Sequence, residues 1–186
     1  MYTSQANQDQ FVDFMLNNKQ FGTYVDIGSY HPIEDNNTYV FDARGWSGIC
    51  VDLQLDEQLY SQTRSAYAIK SNALSVNYLN LFQRMCCSST IDYLSIDVDE
   101  SSTKVLEMLP HDQYRFNVIT IEHDAYVHGD KYRTPQRELL TSLGYILFTE
   151  DVKVPESVWN MMVTEKIVTN KLNVGFEDWW ISPYLA

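Results

Sequence analysis

The spacing of apolar residues changes repeatedly along the chain, and each change of period predicts a new element. Over "NQDQFVDFMLNNKQ", residues 7–20, Phe11, Met15 and Leu16 recur at helical spacing with Val12 beside them, and Gly22 closes the pattern. That is the mark of an amphipathic helix. "TYVDIG" is a short apolar run from Tyr24 to Ile27 stopped by Gly28, and "SGICVDL" repeats the form from Ile49 to Leu53. Both predict strands. Between them, the Pro- and Asn-bearing "SYHPIEDNNTYVFDARGW" predicts a loop followed by about two helical turns.

The same alternation continues. "AYAIKSNA" (66–73) predicts a third strand, "SVNYLNLFQRM" a helix with Leu79, Phe82 and Met85 on one face, and "IDYLSID" a fourth strand. "SSTKVLEML" opens on hydroxyl residues able to cap a helix, "FNVITIE" predicts a fifth strand, and "YILFTED" a sixth. Between those strands, "TPQRELLTSLG" predicts a helix with Pro135 at its first position and Gly144 at its end. Strands alternating with helices of about ten residues predict βαβ units and a mostly parallel sheet covered on both faces, an α/β fold of Rossmann-like type. One domain is expected over 1–186: an N-terminal helical segment (1–21), an alternating core (22–150) and a C-terminal segment (151–186). In the last, "VPESVWNMMVTEKIVTNK" has mixed periodicity and "NVGFEDWWISP" predicts a final strand.

Charge narrows the partners. A net charge of −12 argues against a general affinity for nucleic acid or anionic membrane, both of which need a basic face. No segment offers the ~20 uninterrupted apolar residues of a membrane span, and "MYTSQANQDQ" has no basic or apolar leader pattern. A cytoplasmic protein acting on a small molecule or glycan is expected, with its oligomeric state open. The three cysteines, Cys50, Cys86 and Cys87, fit reduced thiols, and no spacing suggests structural zinc.

Candidate chemistry gathers at the strand ends, where ligands bind in open parallel sheets. These ends read "VDIGS", Asp52, "SNA", "DVDE" and "EHD". Asp52 lies 24 positions after Gly28, near the ~20 expected between a glycine turn and an acid that takes ribose hydroxyls. "DIGSYHP" lacks the glycine spacing that a dinucleotide pyrophosphate requires. A cofactor with ribose but no phosphate is favoured, and S-adenosylmethionine is the common one.

"SQANQDQFV", "YVDIGSYHP", "NNTYVFDARGWSGICVD", "IDYLSIDVDE", "VITIEHD" and "FEDWW" occur in an order and spacing that resemble the FkbM family of S-adenosylmethionine-dependent methyltransferases. The resemblance implies a class I methyltransferase fold, a seven-stranded sheet with an antiparallel last strand, and O-methylation of a sugar or natural-product hydroxyl. It implies that Asp26 and Gly28 form the cofactor turn, that Asp52 takes the ribose, and that Asn72 and Ala73 border the adenine. Gln8, with Ser4, would close over the cofactor. The chain departs from the pattern around Tyr30 and His31, at Asp52, where many members have Glu, and at Glu100, where glycine is common.

Methyl transfer to a hydroxyl needs alignment and a destination for the proton, supplied by a general base or a divalent cation. Asp97 ends the fourth strand while Glu122 and His123 end the fifth, an arrangement similar to the metal site of catechol-type O-methyltransferases. One expectation is a Mg²⁺ or Mn²⁺ site of Asp97, Glu122 and His123 with Asp99 as a further ligand. The other has Asp97 on the cofactor ammonium, Asp99 capping a helix and His123 acting as base. Tyr126, Trp179 and Trp180 are candidate walls for an acceptor. Competing functions are an NAD(P)-linked enzyme and a non-catalytic binding module.

Overall fold

The computed structural model describes residues 2–165 and 175–185. Seven strands, β1 (Thr23–Ile27), β2 (Ser47–Asp52), β3 (Tyr67–Lys70), β4 (Thr90–Ile96), β5 (Arg115–Glu122), β6 (Ile146–Val152) and β7 (Glu177–Ile181), form one sheet in the order β3-β2-β1-β4-β5-β7-β6. β1 to β5 pair in parallel, and β7 runs antiparallel between β5 and β6. This is the expected sheet. The final strand is shorter than its apolar run, and Asn173 and Val174 of that run lie outside the described residues.

Helices α4 (Tyr78–Arg84), α5 (Ser102–Met108) and α7 (Asp130–Ser142) bury Phe82, Leu106 and Leu140 with Val25, Ile49, Leu94, Ile119 and Ile121 on one face of the sheet. On the other face, α1 (Gln8–Met15), α2 (Tyr39–Asp42) and the chain around α3 (Glu57–Thr63) bring Phe11, Val12, Phe41 and Tyr60 against Tyr24, Cys50, Tyr93 and Val118. Strand side chains alternate between these two cores, as the pleat requires. Cys50 is buried and its thiol is pushed up to about 12, chiefly by that burial.

Several local expectations change. The buried face of α4 is Tyr78, Leu81 and Phe82, with Met85 beyond its end and exposed. α7 starts at Asp130, so Pro135 sits inside it, where it lacks the N–H of an i→i−4 bond. Its end is as predicted: Gly144 at φ 80° with Gly144 N–H on the Thr141 carbonyl and Tyr145 N–H on that of Leu140. α5 is tied not by a cap from Ser101 but by Ser102, whose hydroxyl accepts the Val98 N–H at 3.1 Å. α3, the single turn α6 (Ala125–His128) and α8 (Glu156–Thr164) carry no clear period; each buries a single residue, Tyr60, Ala125 or Trp159, which leaves little apolar stripe to read.

Candidate active site

Strand order reverses between β1 and β4, and the chain opens there into two clefts of about 170 and 240 Å³ at the carboxyl edge. Asp97, the residue after β4, lines both. Asp26, Gly28, His31 and Asn37 line the first cleft, and Asp52, Asn72, Ala73 and Asp99 line the second.

Gly28 turns the chain at φ 94° with its N–H on the Val51 carbonyl, at 2.8 Å. A Cβ there would lie 1.6 Å from the Asp97 carbonyl oxygen. The glycine therefore lets the loop after β1 close against β4. Asp52 braces the same loop from β2, accepting the Tyr30 N–H at 3.1 Å and the Gln54 N–H at 2.5 Å. A carboxylate has about four lone-pair sites, so its two oxygens keep acceptor capacity toward the cleft. Asn72 caps the following turn through the Leu74 N–H at 2.9 Å, beside buried Ala73.

The "NNT" stretch builds the floor of the first cleft. Asn36 donates to the Ser29 and His31 carbonyls and accepts from Thr38 and Arg64, while Thr38 donates to Asp26 at 2.7 Å. Buried Arg64 also binds Asp42 and the Tyr24 hydroxyl. Asn37 donates to Ser95 at 3.1 Å, and its Oδ1 is buried with no partner among the described residues. Burial lifts Asp26 to about 6, against the opposing hydrogen bond from Thr38.

The N-terminal segment does not meet the clefts as expected. Gln8 is buried, accepting the Ala6 N–H and donating to Glu177, and Ser4 is turned onto Asp9. Gln5 is the residue of this segment that lines the first cleft.

The carboxylates of β4, β5 and β7 obey one parity rule. Ile96 pairs with Ile121 and Glu122 with Glu177, so Asp97, Glu122 and Glu177 follow in one cross-strand row on one face. Burial raises Asp97, partly offset by a hydrogen bond from Glu122; burial and the Asp97 charge together push Glu122 well above the usual carboxylate range. Glu177, held by Trp179 and Gln8, is lifted by burial to about 8. Asp124, not foreseen, joins this rim: oxygens of Asp99, Glu122 and Asp124 lie within 4.8 Å of one another. Burial raises Asp124 as well.

His123 is not brought to this rim. Next to Glu122 in an extended chain, it points to the opposite face, buried, with Nε2 3.5 Å from Asp178 and 3.7 Å from Asp151. Its Nδ1 accepts the Ala125 N–H at 3.2 Å. Arg137 of α7 grips Asp178 through two bonds of 2.7 and 2.8 Å. Burial would raise Asp178, but Arg137 and His123 outweigh it and hold the carboxyl at about 2. Strand alternation thus keeps His123 apart from Asp97 and Glu122, the partners expected for it as metal ligand and base, and gathers it instead with Asp151 and Asp178, whose oxygens lie within 4.8 Å of its ring nitrogen and of each other.

An aromatic pocket of about 50 Å³ adjoins Glu122, walled by Tyr126, Trp159, Phe176 and Met162. Of the expected walls only Tyr126 is here; Trp180 is in the core and Trp179 stacks on Phe11 at 4.5 Å. His128 lies against Tyr132, 3.7 Å from Glu100.

No family model matches the chain, and no curated protein matches it. Solved structures share its fold. One assigned as an S-adenosylmethionine-dependent methyltransferase from Listeria monocytogenes superposes with a TM-score of 0.59 at 9% identity, over 96% of this chain and 97% of the other. One assigned as an rRNA methylase from Clostridium thermocellum gives 0.56 at 11%, over 98% and 96%. The 1,6-didemethyltoxoflavin-N1-methyltransferase of Burkholderia thailandensis, with S-adenosylhomocysteine bound, gives 0.50 at 11%, over 95% and 76%. The architecture is the class I methyltransferase fold.

Proposed function

We propose that this protein is an S-adenosylmethionine-dependent O-methyltransferase acting on a hydroxyl of a sugar, glycan or related small molecule. The observation that carries it is the pair of acidic clefts meeting at Asp97, at the point where strand order reverses. Among the described residues no lysine or arginine lines either cleft. A dinucleotide pyrophosphate would face carboxylates there, whereas a sulfonium and an ammonium are complementary to them. Orphaned Asn37 Oδ1 adds a buried acceptor. The motifs resembling the FkbM family support the same reading, and the net charge of −12 favours a small acceptor over nucleic acid.

In this reading Asp52 accepts from the ribose, Asn72 and Ala73 border the base, and Asp26, Gly28 and Asp97 hold the amino-acid end. The bound cofactor supplies an electrophilic methyl group. The chain positions the hydroxyl in line and provides the Asp97–Glu122 pair, which holds one proton and takes the acceptor's as its second. With His123 turned away, the expected imidazole-containing ligand set does not form, and this proton transfer needs only the Asp97–Glu122 pair. Turnover is expected to survive EDTA; loss restored by Mg²⁺ would instead put a cation among Asp99, Glu122 and Asp124.

Calorimetry with S-adenosylhomocysteine tests the cofactor site. Asp52→Ala removes charged acceptors of ribose, worth roughly 1.5–3 kcal/mol, so affinity should drop roughly 10- to 100-fold. Absence of binding by the unaltered protein at millimolar ligand sinks the proposal.

A further inference from the structure

The aromatic pocket beside Glu122 contains an unusual pair of atoms. Among the described residues Trp159 Nε1 is buried without a hydrogen-bond partner, and Glu122 Oε2, whose carboxyl is paired only with the acids Asp97 and Asp124, meets no N–H donor; both belong to residues lining this pocket. Trp159 is 2% exposed, fixed edge-to-face against Tyr126 with centroids 5.8 Å apart. Buried indole N–H groups and carboxylate oxygens are ordinarily paired, so an unmatched donor and an unmatched acceptor around one small cavity mark a missing polar occupant. About 50 Å³ exceeds a water molecule's share of liquid volume, ~30 Å³, and suits a hydroxyl with its carbon rather than a whole ring.

We infer that this pocket is the recognition site for a neutral hydroxyl of the acceptor: the Trp159 N–H donates to its oxygen, Glu122 receives its hydrogen, and Tyr126, Phe176 and Met162 contact the carbon skeleton. The inference rests on the methyltransferase reading and deepens it by assigning the acceptor side. The row of acids behind Glu122 excludes carboxylate and phosphate groups from the same seat. During transfer the hydroxyl oxygen forms a bond to the methyl carbon while the carbon–sulfur bond breaks. Its electrons remain on sulfur as a neutral thioether, and the hydroxyl proton passes to the Glu122–Asp97 pair.

The test is a ¹⁵N spectrum of the full chain saturated with S-adenosylhomocysteine, following the four indole N–H resonances. Phenol and methyl glucoside serve as neutral probes from two sources of hydroxyl, and benzoate as the charged control. One indole signal, missing in Trp159→Phe, should shift saturably with at least one neutral probe and stay fixed with benzoate. Trp159→Phe should weaken that probe at least 10-fold while leaving S-adenosylhomocysteine affinity unchanged. If that variant does not fold, the unaltered protein still decides: one of its four indole signals must shift saturably with a neutral probe and stay fixed with benzoate. An indole signal that no probe moves, as a permanently bound water would give, overturns the inference, as does an equal response to benzoate. Failure of S-adenosylhomocysteine to bind instead removes the transferase reading beneath it.

Discussion

Gly28→Ala should unfold or severely destabilise the protein, by more than about 4 kcal/mol, with a fall in Tm on the order of 10 °C or more. The added Cβ would sit 1.6 Å from the Asp97 carbonyl oxygen and 2.5 Å from its carbon, both backbone atoms. Neither neighbour can withdraw, because Asp97 N–H is bonded to the Ile27 carbonyl and Gly28 N–H to that of Val51, each at 2.8 Å. Gly144→Ala is the control. Gly144, the left-handed residue that ends α7, also has positive φ, 80°, but a Cβ there meets nothing within 4 Å. Its cost should be limited to backbone strain, about 1–2 kcal/mol. Thermal unfolding followed by circular dichroism compares the two, and Tm values within a few degrees of each other would refute the close-approach role.

Glu177→Gln should remove most of an alkaline loss of stability. Buried Glu177 titrates near 8 in the fold against an ordinary value of 4.5. A raised carboxyl favours the fold fully below its ordinary value, and that contribution disappears as pH rises through the folded value. The separation corresponds to on the order of 5 kcal/mol, at about 1.4 kcal/mol for each tenfold change in proton affinity. Unfolding free energy of the unaltered protein should therefore decline between about pH 5 and 8, and the Gln variant should be the more stable of the two at pH 9. Urea titrations at several pH values give both curves. Parallel curves would show that Glu177 is not held neutral by its surroundings. Asp178, lowered to about 2, acts in the opposite sense, and its contribution is lost only in strong acid.

The sheet was legible because its strands are short apolar runs ending in glycine or acid, and a strand's existence depends mostly on local composition. α3 escaped notice because a helix that buries one tyrosine has no apolar stripe. Pro135 misled for a related reason: its usual place at a helix start outweighed the weaker signals over residues 130–134, which α7 includes. At the site, Asp52, Asp97 and Glu122 are singled out by position, since each follows or ends a strand and the carboxyl edge gathers them, whereas Asn72 is singled out by the resemblance. His123 was placed on the same rim although strand alternation argued otherwise, and Gln8 was placed over the cofactor although its buried partner, Glu177, lies 169 residues away.

Sequence by itself therefore determined the succession of strands, the parallel core and the rim on which its acids stand, because these follow from short apolar runs and from where those runs stop. Only the tertiary structure decided which of those acids share a face. Register places Glu122 opposite Glu177 and brings Asp97 into the same row, and it sends His123 across the sheet to Asp178 and Arg137. Pairing between strands far apart in the chain is set by the packing of the whole sheet, and no local pattern encodes it.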